Sequence, residues 1–440
     1  MVRRLQALAL AVILVLAAFA TGLELLFYVL YLGLLVVGGA YLVTRTGLLD
    51  LEAGYALDRL HAHVGEQLRA TYTLRNVGRW PKLWLEIHNP STLPAPLPGR
   101  ALSLGPYEER SWVAKVPLLR RGHFRVEALG IRTGDPFGFF DAAASVGRGA
   151  SIVVYPRISA LAGWRLPTAT LEGTRGNRER THQTTPLVTS VRPYLPGDAY
   201  NRIHWKSSAR HQSLQVKEFE IEQASDVWLF VDLEGRVQAG SGDDSTVEVG
   251  VRIAASIAFK ALAENRAVGL TISGHRLTIL PADRGPRQYR KVMELLAAAE
   301  GDGVTPFGEI LLRTTLRVRR GMAVIAITPS PDPAWVRPLT ALRQRGVGCR
   351  VIWLDSPAFA EGLPATPVAR RTVADGVTDT DAADAIARDA SAARRPARAI
   401  AHALAEFDLP FVTVGPNANI DAALSVRPPR SGQLVGSRMR

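Results

Sequence analysis

The sequence predicts a multidomain α+β chain. In order it should contain an N-terminal two-helix transmembrane hairpin (residues 1–47), a β-sandwich-like domain (48–165), a junction (166–225), a doubly wound α/β domain (226–426) and a basic tail (427–440). Three observations carry this expectation: an almost unbroken apolar run from Leu5 to Val43, apolar residues at period two over 56–160, and alternating strand and helix patterns after residue 225. A chain of 440 residues has room for two or three domains, each with a sizeable core.

The apolar run is too long for one span, because a bilayer core takes about 20 helical residues at roughly 1.5 Å each. It divides at Thr21-Gly22 into helices near 5–21 and 24–43. Arg3 and Arg4 precede the first span, Arg45 follows the second, and the turn between carries only Glu24. The positive-inside bias therefore places both ends, and the soluble bulk, in the cytoplasm of a multi-pass cell-membrane protein. Ala18-Phe19-Ala20 has the small-x-small form of a signal-peptide cleavage site, and in that rival reading the second span alone remains as the anchor.

Residues 56–160 read as short strands. Leu68, Ala70, Tyr72 and Leu74 alternate, as do Leu83, Leu85 and Ile87, then Trp112, Ala114 and Val116, then Ile152 and Val154. Turn chemistry separates them at Asn76-Val77-Gly78, Pro90 to Pro98, Gly105-Pro106 and Arg121-Gly122. Strands at this spacing suggest a small sandwich, with the aromatics after Asp135-Pro136 capping its core.

From residue 226 the pattern changes. Val227 to Val231 is apolar on both faces, as a central parallel strand requires, and ends at Asp232. A helix follows from the Gly/Ser/Asp loop 240–245, carrying Val247, Val251, Ala254, Ala258 and Ala261 on one face. Further strands are expected at 267–272, 323–328, 349–354 and 411–414, with helices at 286–299, 334–345 and 383–407. The Ala/Asp/Arg-rich stretch 362–398 reads either as a surface insertion or as a helix with loose flanks, and the tail as disordered.

The formal net charge is +13, and 47 of the 53 basic residues are arginine. Nucleic acid, anionic lipid and an acidic partner all suit that excess; the two spans make the bilayer the simplest of them. Arg313, Arg317, Arg319 and Arg320 cluster without interleaved aromatics, so a solvated helix face explains them and nucleic acid falls last. Cys349, the single cysteine, excludes an internal disulfide and a cysteine-based zinc site, and its strand-like setting reads as core packing. His61 and His63 share a strand face, but no further ligand spacing completes a metal site. There is no Walker loop, serine elbow or dinucleotide fingerprint to support an ATPase, hydrolase or dehydrogenase.

The most specific stretch joins the two soluble domains. It reads Arg192-Pro193-Tyr194-Leu195-Pro196-Gly197-Asp198, then Arg202-Ile203-His204-Trp205-Lys206-Ser207-Ser208-Ala209-Arg210, then Lys217-Glu218-Phe219-Glu220. This run resembles the bacterial domain-of-unknown-function 58 family, whose hallmark is Arg-x-Tyr-x-x-Gly-Asp, Ile-x-Trp-Lys-x-Ser-Ala-Arg and Lys-Glu-Phe-Glu. Leu74-Arg75-Asn76 and Asp135-Pro136-Phe137-Gly138 extend the likeness. The resemblance implies a membrane-anchored protein with a von Willebrand factor A-like domain. It also implies an AAA+ ATPase of the MoxR group as partner, a neighbouring transglutaminase-like membrane protein, and a helper role in assembling or maturing a complex.

Read from the residues alone, Asp198 should cap a short helix with Arg202 four positions on, and Ile203 and Trp205 should bury. Arg192, Lys206, Arg210 and Lys217 would then pair with Glu218, Glu220 or Glu222 in a network that fixes the junction. Alternatively Arg192, Arg202, Lys206 and Arg210 present a forked anion site to a partner.

The resemblance to A-like domains adds a candidate Mg²⁺ site, with Asp232 as first aspartate and Thr305 as the later threonine. Glu234 and Arg236 replace the two serines of the Asp-x-Ser-x-Ser loop, and Asp332 follows the strand ending Thr328-Pro329-Ser330. A guanidinium in that loop repels a divalent cation, so no cofactor is expected. Two functions follow from these readings. The favoured one is a membrane-tethered interaction protein without catalytic activity; the other is a metal-assisted hydrolase built on Asp232, Glu234 and Thr305.

Overall fold

The computed structural model describes residues 2–165, 188–195, 198, 200, 203–219, 226–361 and 395–425. Most of the 362–398 stretch and the tail from 427 therefore lie outside the described residues. The chain is a mixed α+β protein that divides into two compact units. The first is Met1–Ile158, with the short segment Met293–Ala298 grouped with it; the second holds the remainder.

Helices α1 (Val2–Thr21) and α2 (Glu24–Gly47) meet where the sequence predicts, at Gly22, whose φ of 66° is a left-handed conformation that glycine adopts without steric cost. Phe19 and Phe27 pack edge to face across the turn, 5.5 Å between centroids. Among the described residues, α2 is the one helix long and apolar enough to cross a membrane by length and composition, with almost none of it buried within the protein. In α1 the described apolar stretch is the shorter Ala11–Thr21, so the expectation of two spans reduces to one candidate.

The β unit contains strands β1 (Leu51–Leu57), β2 (His61–His63), β3 (Gln67–Asn76), β4 (Lys82–His88), β5 (Arg100–Leu104), β6 (Glu109–Pro117), β7 (Gly122–Val126), β8 (Leu129–Gly134), β9 (Asp141–Val146) and β10 (Ala150–Tyr155). They form three sheets, ordered β1-β3-β6, β2-β10-β7 and β5-β4-β8-β9. Alternation works as read in β3, where Leu68, Ala70, Tyr72 and Leu74 are buried and their neighbours exposed. They join Leu85, Ile87, Ile131, Ile152 and Val154 in one core.

Strand β4 departs from the alternation expected for Leu83, Leu85 and Ile87. Its pairing with β5 shifts register between Lys82 and Leu85, so Lys82 is buried while Leu83 and Trp84 are both exposed. The buried ammonium has a use. Lys82 Nζ donates to the carbonyl oxygens of Thr46 and Leu49, at 2.7 and 2.6 Å, and so caps the C-terminal end of α2, where carbonyls lack helical partners. Burial pushes the Lys82 pKa below its ordinary value, against the opposing pull of Asp50. Replacing Lys82 with methionine keeps the packed stem but deletes both bonds. It should cost about 2–3 kcal/mol, read as a lower urea midpoint for the detergent-solubilised chain; an unchanged midpoint would refute the capping role.

In the second unit, β11 (Val188–Pro193) and β12 (Gln215–Phe219) pair antiparallel around helix α3 (Trp205–His211). Six further strands form one sheet: β13 (Val227–Val231), β14 (Val268–Ser273), β15 (Leu277–Asp283), β16 (Ala323–Thr328), β17 (Gly348–Leu354) and β18 (Phe411–Val414), in the order β15-β14-β13-β16-β17-β18. All pair parallel except β15, an antiparallel edge that the sequence reading missed.

Helices α4 (Thr246–Ala263), α5 (Gly285–Ala297), α6 (Phe307–Thr314), α7 (Val336–Gln344), α8 (Ser356–Glu361), α9 (Arg395–Glu406) and α10 (Ile420–Ser425) accompany the sheet. Alternate sheet residues serve opposite faces. Trp228, Phe230, Val324 and Ala326 pack with Phe307, Leu311, Trp335, Leu339, Ile400 and Leu404 of the α6, α7 and α9 side. On the other face Gly250 of α4 lies against Ile327 and Leu354. Helix α4 starts at a Ser245 cap, which accepts from Glu248 N–H at 3.2 Å. Chain order reverses between β13 and β16, so their carboxyl ends form the topological switch point at which α/β sheets commonly place their sites.

Candidate functional site

Asp232 is the first residue after β13 and is almost fully buried. Its Oδ2 accepts from Thr328 Oγ1 at 2.6 Å, and its Oδ1 accepts from Glu234 N–H at 3.1 Å. Ser273, at the end of β14, accepts from Leu233 N–H at 2.7 Å and lies 3.5 Å from Asp232 Oδ1. The Asp232 carbonyl accepts from Gln238 Nε2, whose Oε1 accepts from Thr246 Oγ1 at 2.7 Å. Strand ends β13, β14 and β16 thus converge on one buried carboxyl. Burial pushes its pKa up to about 6, against the hydrogen bonds from Thr328 and Glu234 N–H, with the nearby Glu234 adding to the rise.

The loop carrying Thr305 is joined to this point through its backbone. Gly303 N–H donates to Leu233 O at 2.9 Å and Gly235 N–H to Gly303 O at 2.8 Å. Gly303 is required by space, because a Cβ there would run into the Ser273 and Leu233 carbonyl oxygens. The fold therefore brings Asp232 and Glu234, both buried, next to the segment of half-buried Thr305.

For a cation the donor set is a poor fit. Both oxygens of Asp232 already accept hydrogen bonds, and the group favours its proton more than an ordinary aspartate does. Asp332 instead caps the turn at Pro333–Trp335 by accepting from Ala334 N–H at 3.0 Å. Among the described residues no group of three or more His, Cys, Asp or Glu side chains is placed to hold a metal. His61 and His63 both flank the Tyr155 ring. Cys349 is a buried core residue whose thiol burial pushes up to about 12, far from a reactive thiolate.

One motif expectation requires correction. Trp205 is exposed to 67%, whereas Ile203 is buried as expected. The reason is local: His204 caps α3 by accepting from Ser207 N–H at 3.1 Å, which starts the helix at Trp205, and Ser208 then faces inward onto the Gln215 backbone. Asp198 Oδ2 accepts from Leu195 N–H at 3.0 Å; the short helix expected to follow it runs through residues 199, 201 and 202, which lie outside the described residues.

Lys206 and Arg210 are exposed on α3, and no ion pair to them is present among the described residues. Arg192 and Lys217 lie in the paired strands β11 and β12. Their side chains, with Arg202, Glu218, Glu220 and Glu222, fall outside the described residues, so the network expected there has no described counterpart.

Thr328 and Ser330 stand out in the sequence only as the end of a strand, and Ser273 carries no motif. The available signal was their position, since each is a polar residue at the carboxyl end of an otherwise apolar parallel strand.

Two curated relatives are uncharacterized. YeaD of Bacillus subtilis is 27% identical over 288 residues, 63% of this chain and 68% of that protein. A Mycobacterium tuberculosis protein is 29% identical over 160 residues, 35% of this chain, which spans half of that relative's length. Among solved structures, BatB of Bacteroides thetaiotaomicron aligns at 17% identity over 46% of this chain and 95% of its own, with a TM-score of 0.29. The motif, Asp232, Glu234 and Thr305 all lie within residues 190–352, which match the family described as protein of unknown function DUF58.

Proposed function

We propose that this chain is a membrane-anchored interaction protein in which the motif-bearing hairpin of a von Willebrand A-like unit docks an acidic partner. The single observation that carries the reading is the exposure of Trp205, Lys206 and Arg210 together on α3. A large exposed indole beside two cations is the composition of an interface anchor, not of a buried network. Tyr200, exposed and stacked on Tyr194 at 6.1 Å, adds a second exposed aromatic to the motif.

The family resemblance supplies the class of partner, an AAA+ ATPase of the MoxR group, with a transglutaminase-like membrane protein as a further neighbour. A two-span hairpin built from α1 and α2 would hold both soluble units at the cytoplasmic face, as the distribution of Arg3, Arg4 and Arg45 favours.

The test is crosslinking and affinity recovery from native membranes with the wild-type chain and a Lys206→Ala/Arg210→Ala variant. The wild type should recover the ATPase, and the variant at least about tenfold less, equivalent to about 1.4 kcal/mol. Both side chains are exposed, so thermal unfolding should not change. Equal recovery by the two proteins would sink the proposal.

A further inference from the structure

We propose that the β unit carries an aromatic collar, set around the point where α2 enters it, that sits in the phospholipid headgroup layer. The inference rests on α2 spanning the bilayer.

The placement follows from arithmetic. A hydrocarbon core of roughly 30 Å takes about 20 residues at 1.5 Å each, so a span begun at Glu24 leaves the core near residue 43, one helical turn before Gly47. The headgroup layer is only about 5–8 Å thick on each side, and what the protein holds close to residues 44–50 must lie in it or against it.

The β unit holds a great deal there. Lys82 is bonded to the Thr46 and Leu49 carbonyls. Val77 N–H donates to Asp50 O at 2.9 Å, and Gly47 packs against the Thr133 side chain, leaving no room for a Cβ. Thr133 in turn donates to Trp84 O at 2.8 Å.

The side chains these contacts carry to the helix end are large, apolar and exposed. Trp80 is 50% exposed, Leu83 56%, Trp84 44%, Tyr107 70%, Phe137 61% and Tyr41 57%. Neighbouring residues hold several of them in place. Gly78 O accepts from Tyr107 N–H, the Trp84 ring lies over Gly134, Phe137 stacks on Phe139, and Phe140 meets Tyr41 of α2 edge-on at 5.6 Å.

Two buried polar residues hold the loops in shape. Asn76 donates to Trp80 O at 2.9 Å and Gly105 O at 2.8 Å and accepts from Gly78 N–H. Asp135 accepts from Phe137 N–H at 2.8 Å and Phe140 N–H at 2.6 Å. Burial acts to raise the Asp135 carboxyl, but the N–H groups of Phe140, Phe137 and Phe139 outweigh it and hold the pKa below its ordinary value.

Exposed tryptophan, tyrosine and phenylalanine around a helix exit suit the membrane interface, where an aromatic ring meets lipid and its polar edge meets water. Cations complete the match to phosphate headgroups: Arg45 is in the last turn of α2, and the Arg79 guanidinium lies 5.7 Å from the Trp80 ring centroid. In water such a patch would be an aggregation liability.

The test uses the full-length chain reconstituted into phosphatidylcholine–phosphatidylglycerol vesicles, with and without phosphatidylcholine brominated near the top of the acyl chain. Bromine quenches tryptophan on contact. Of the eight tryptophans, Trp80 and Trp84 should carry most of the quenching. A Trp80→Phe/Trp84→Phe variant should therefore lose at least about half of it. Trp205→Phe removes a comparably exposed indole from the other unit and should leave it unchanged.

If the chain floats with the vesicles but the double variant is quenched like wild type, or Trp205→Phe abolishes the signal, the collar is overturned while the span stands. If the chain fails to float with the vesicles after alkaline washing, the span and the collar fall together.

Discussion

Asp232→Asn should make the second unit more stable at neutral pH and flatten its stability between about pH 4 and 6. The native carboxyl is held from its ordinary 3.8 up to about 6, chiefly by burial, so the folded state binds its proton more tightly than the unfolded chain does. Stability from this group is complete below the unfolded value, declines as pH rises through the folded value, and is absent at neutral pH. The difference is on the order of 3 kcal/mol.

Asparagine avoids the buried charge and keeps the contacts. Its Oδ1 still accepts from Glu234 N–H, and its Nδ2–H can donate to Thr328 Oγ1, which itself accepts from Ser330 N–H at 3.0 Å. A gain of on the order of 2 kcal/mol corresponds to about 4–8 °C in Tm for a unit of this size. Parallel pH profiles for the two proteins would refute the account. Adding Mg²⁺ distinguishes the hydrolase reading, which requires the ion to stabilise the wild type at pH 7 and not the variant.

Gly303→Ala should act in the opposite direction and more strongly. The new Cβ meets two backbone carbonyls, those of Ser273 and Leu233, and neither can rotate away as a flexible side chain would. Relief requires the 301–305 loop to leave the strand ends, which breaks the Gly303–Leu233 and Gly235–Gly303 hydrogen bonds. Two backbone bonds lost within a buried site, together with the strain, cost about 3–4 kcal/mol, or roughly 10 °C. Gly274→Ala is the matched control, since its Cβ would make only ordinary contacts, the nearest 3.4 Å from Asp302 Oδ1. A cost for Gly303→Ala no larger than the control's would show that the loop is not held as described.

These two residues also show how far the sequence could be read. Asp232 was legible because a five-residue apolar run, buried on both faces, gives way to a polar residue where the strand ends. What donates hydrogen bonds to it was not legible. Thr328 is 96 residues away and Ser273 is 41 away, and only the order of strands in the sheet brings them to one point. The edge strand Leu277–Asp283 was missed for a related reason. Its apolar residues are only partly buried, so its pattern is weaker than that of the central strands, and its antiparallel direction is set by the short return from β14.

Periodicity failed where burial was decided by a partner instead of by residue type. Leu83 belonged to the expected inward set, but the register shift in β4 exchanged it for Lys82, whose charge is tolerated inside because the end of α2 supplies two carbonyl acceptors. Trp205 was expected to bury because it is apolar, yet the His204 cap starts α3 at that residue and turns Ser208 inward instead.

The amino-acid sequence by itself determined the apolar span, the strands with clean alternation, the central β13 strand and the identity of the motif. Each is a local property, written in the spacing of neighbouring residues. The tertiary structure alone decided which charge is buried at the end of α2, which strand ends meet at Asp232, and which face of the motif points to water. Each of these depends on register and strand order between segments distant in the chain, where a shift of one residue exchanges the buried and exposed sets.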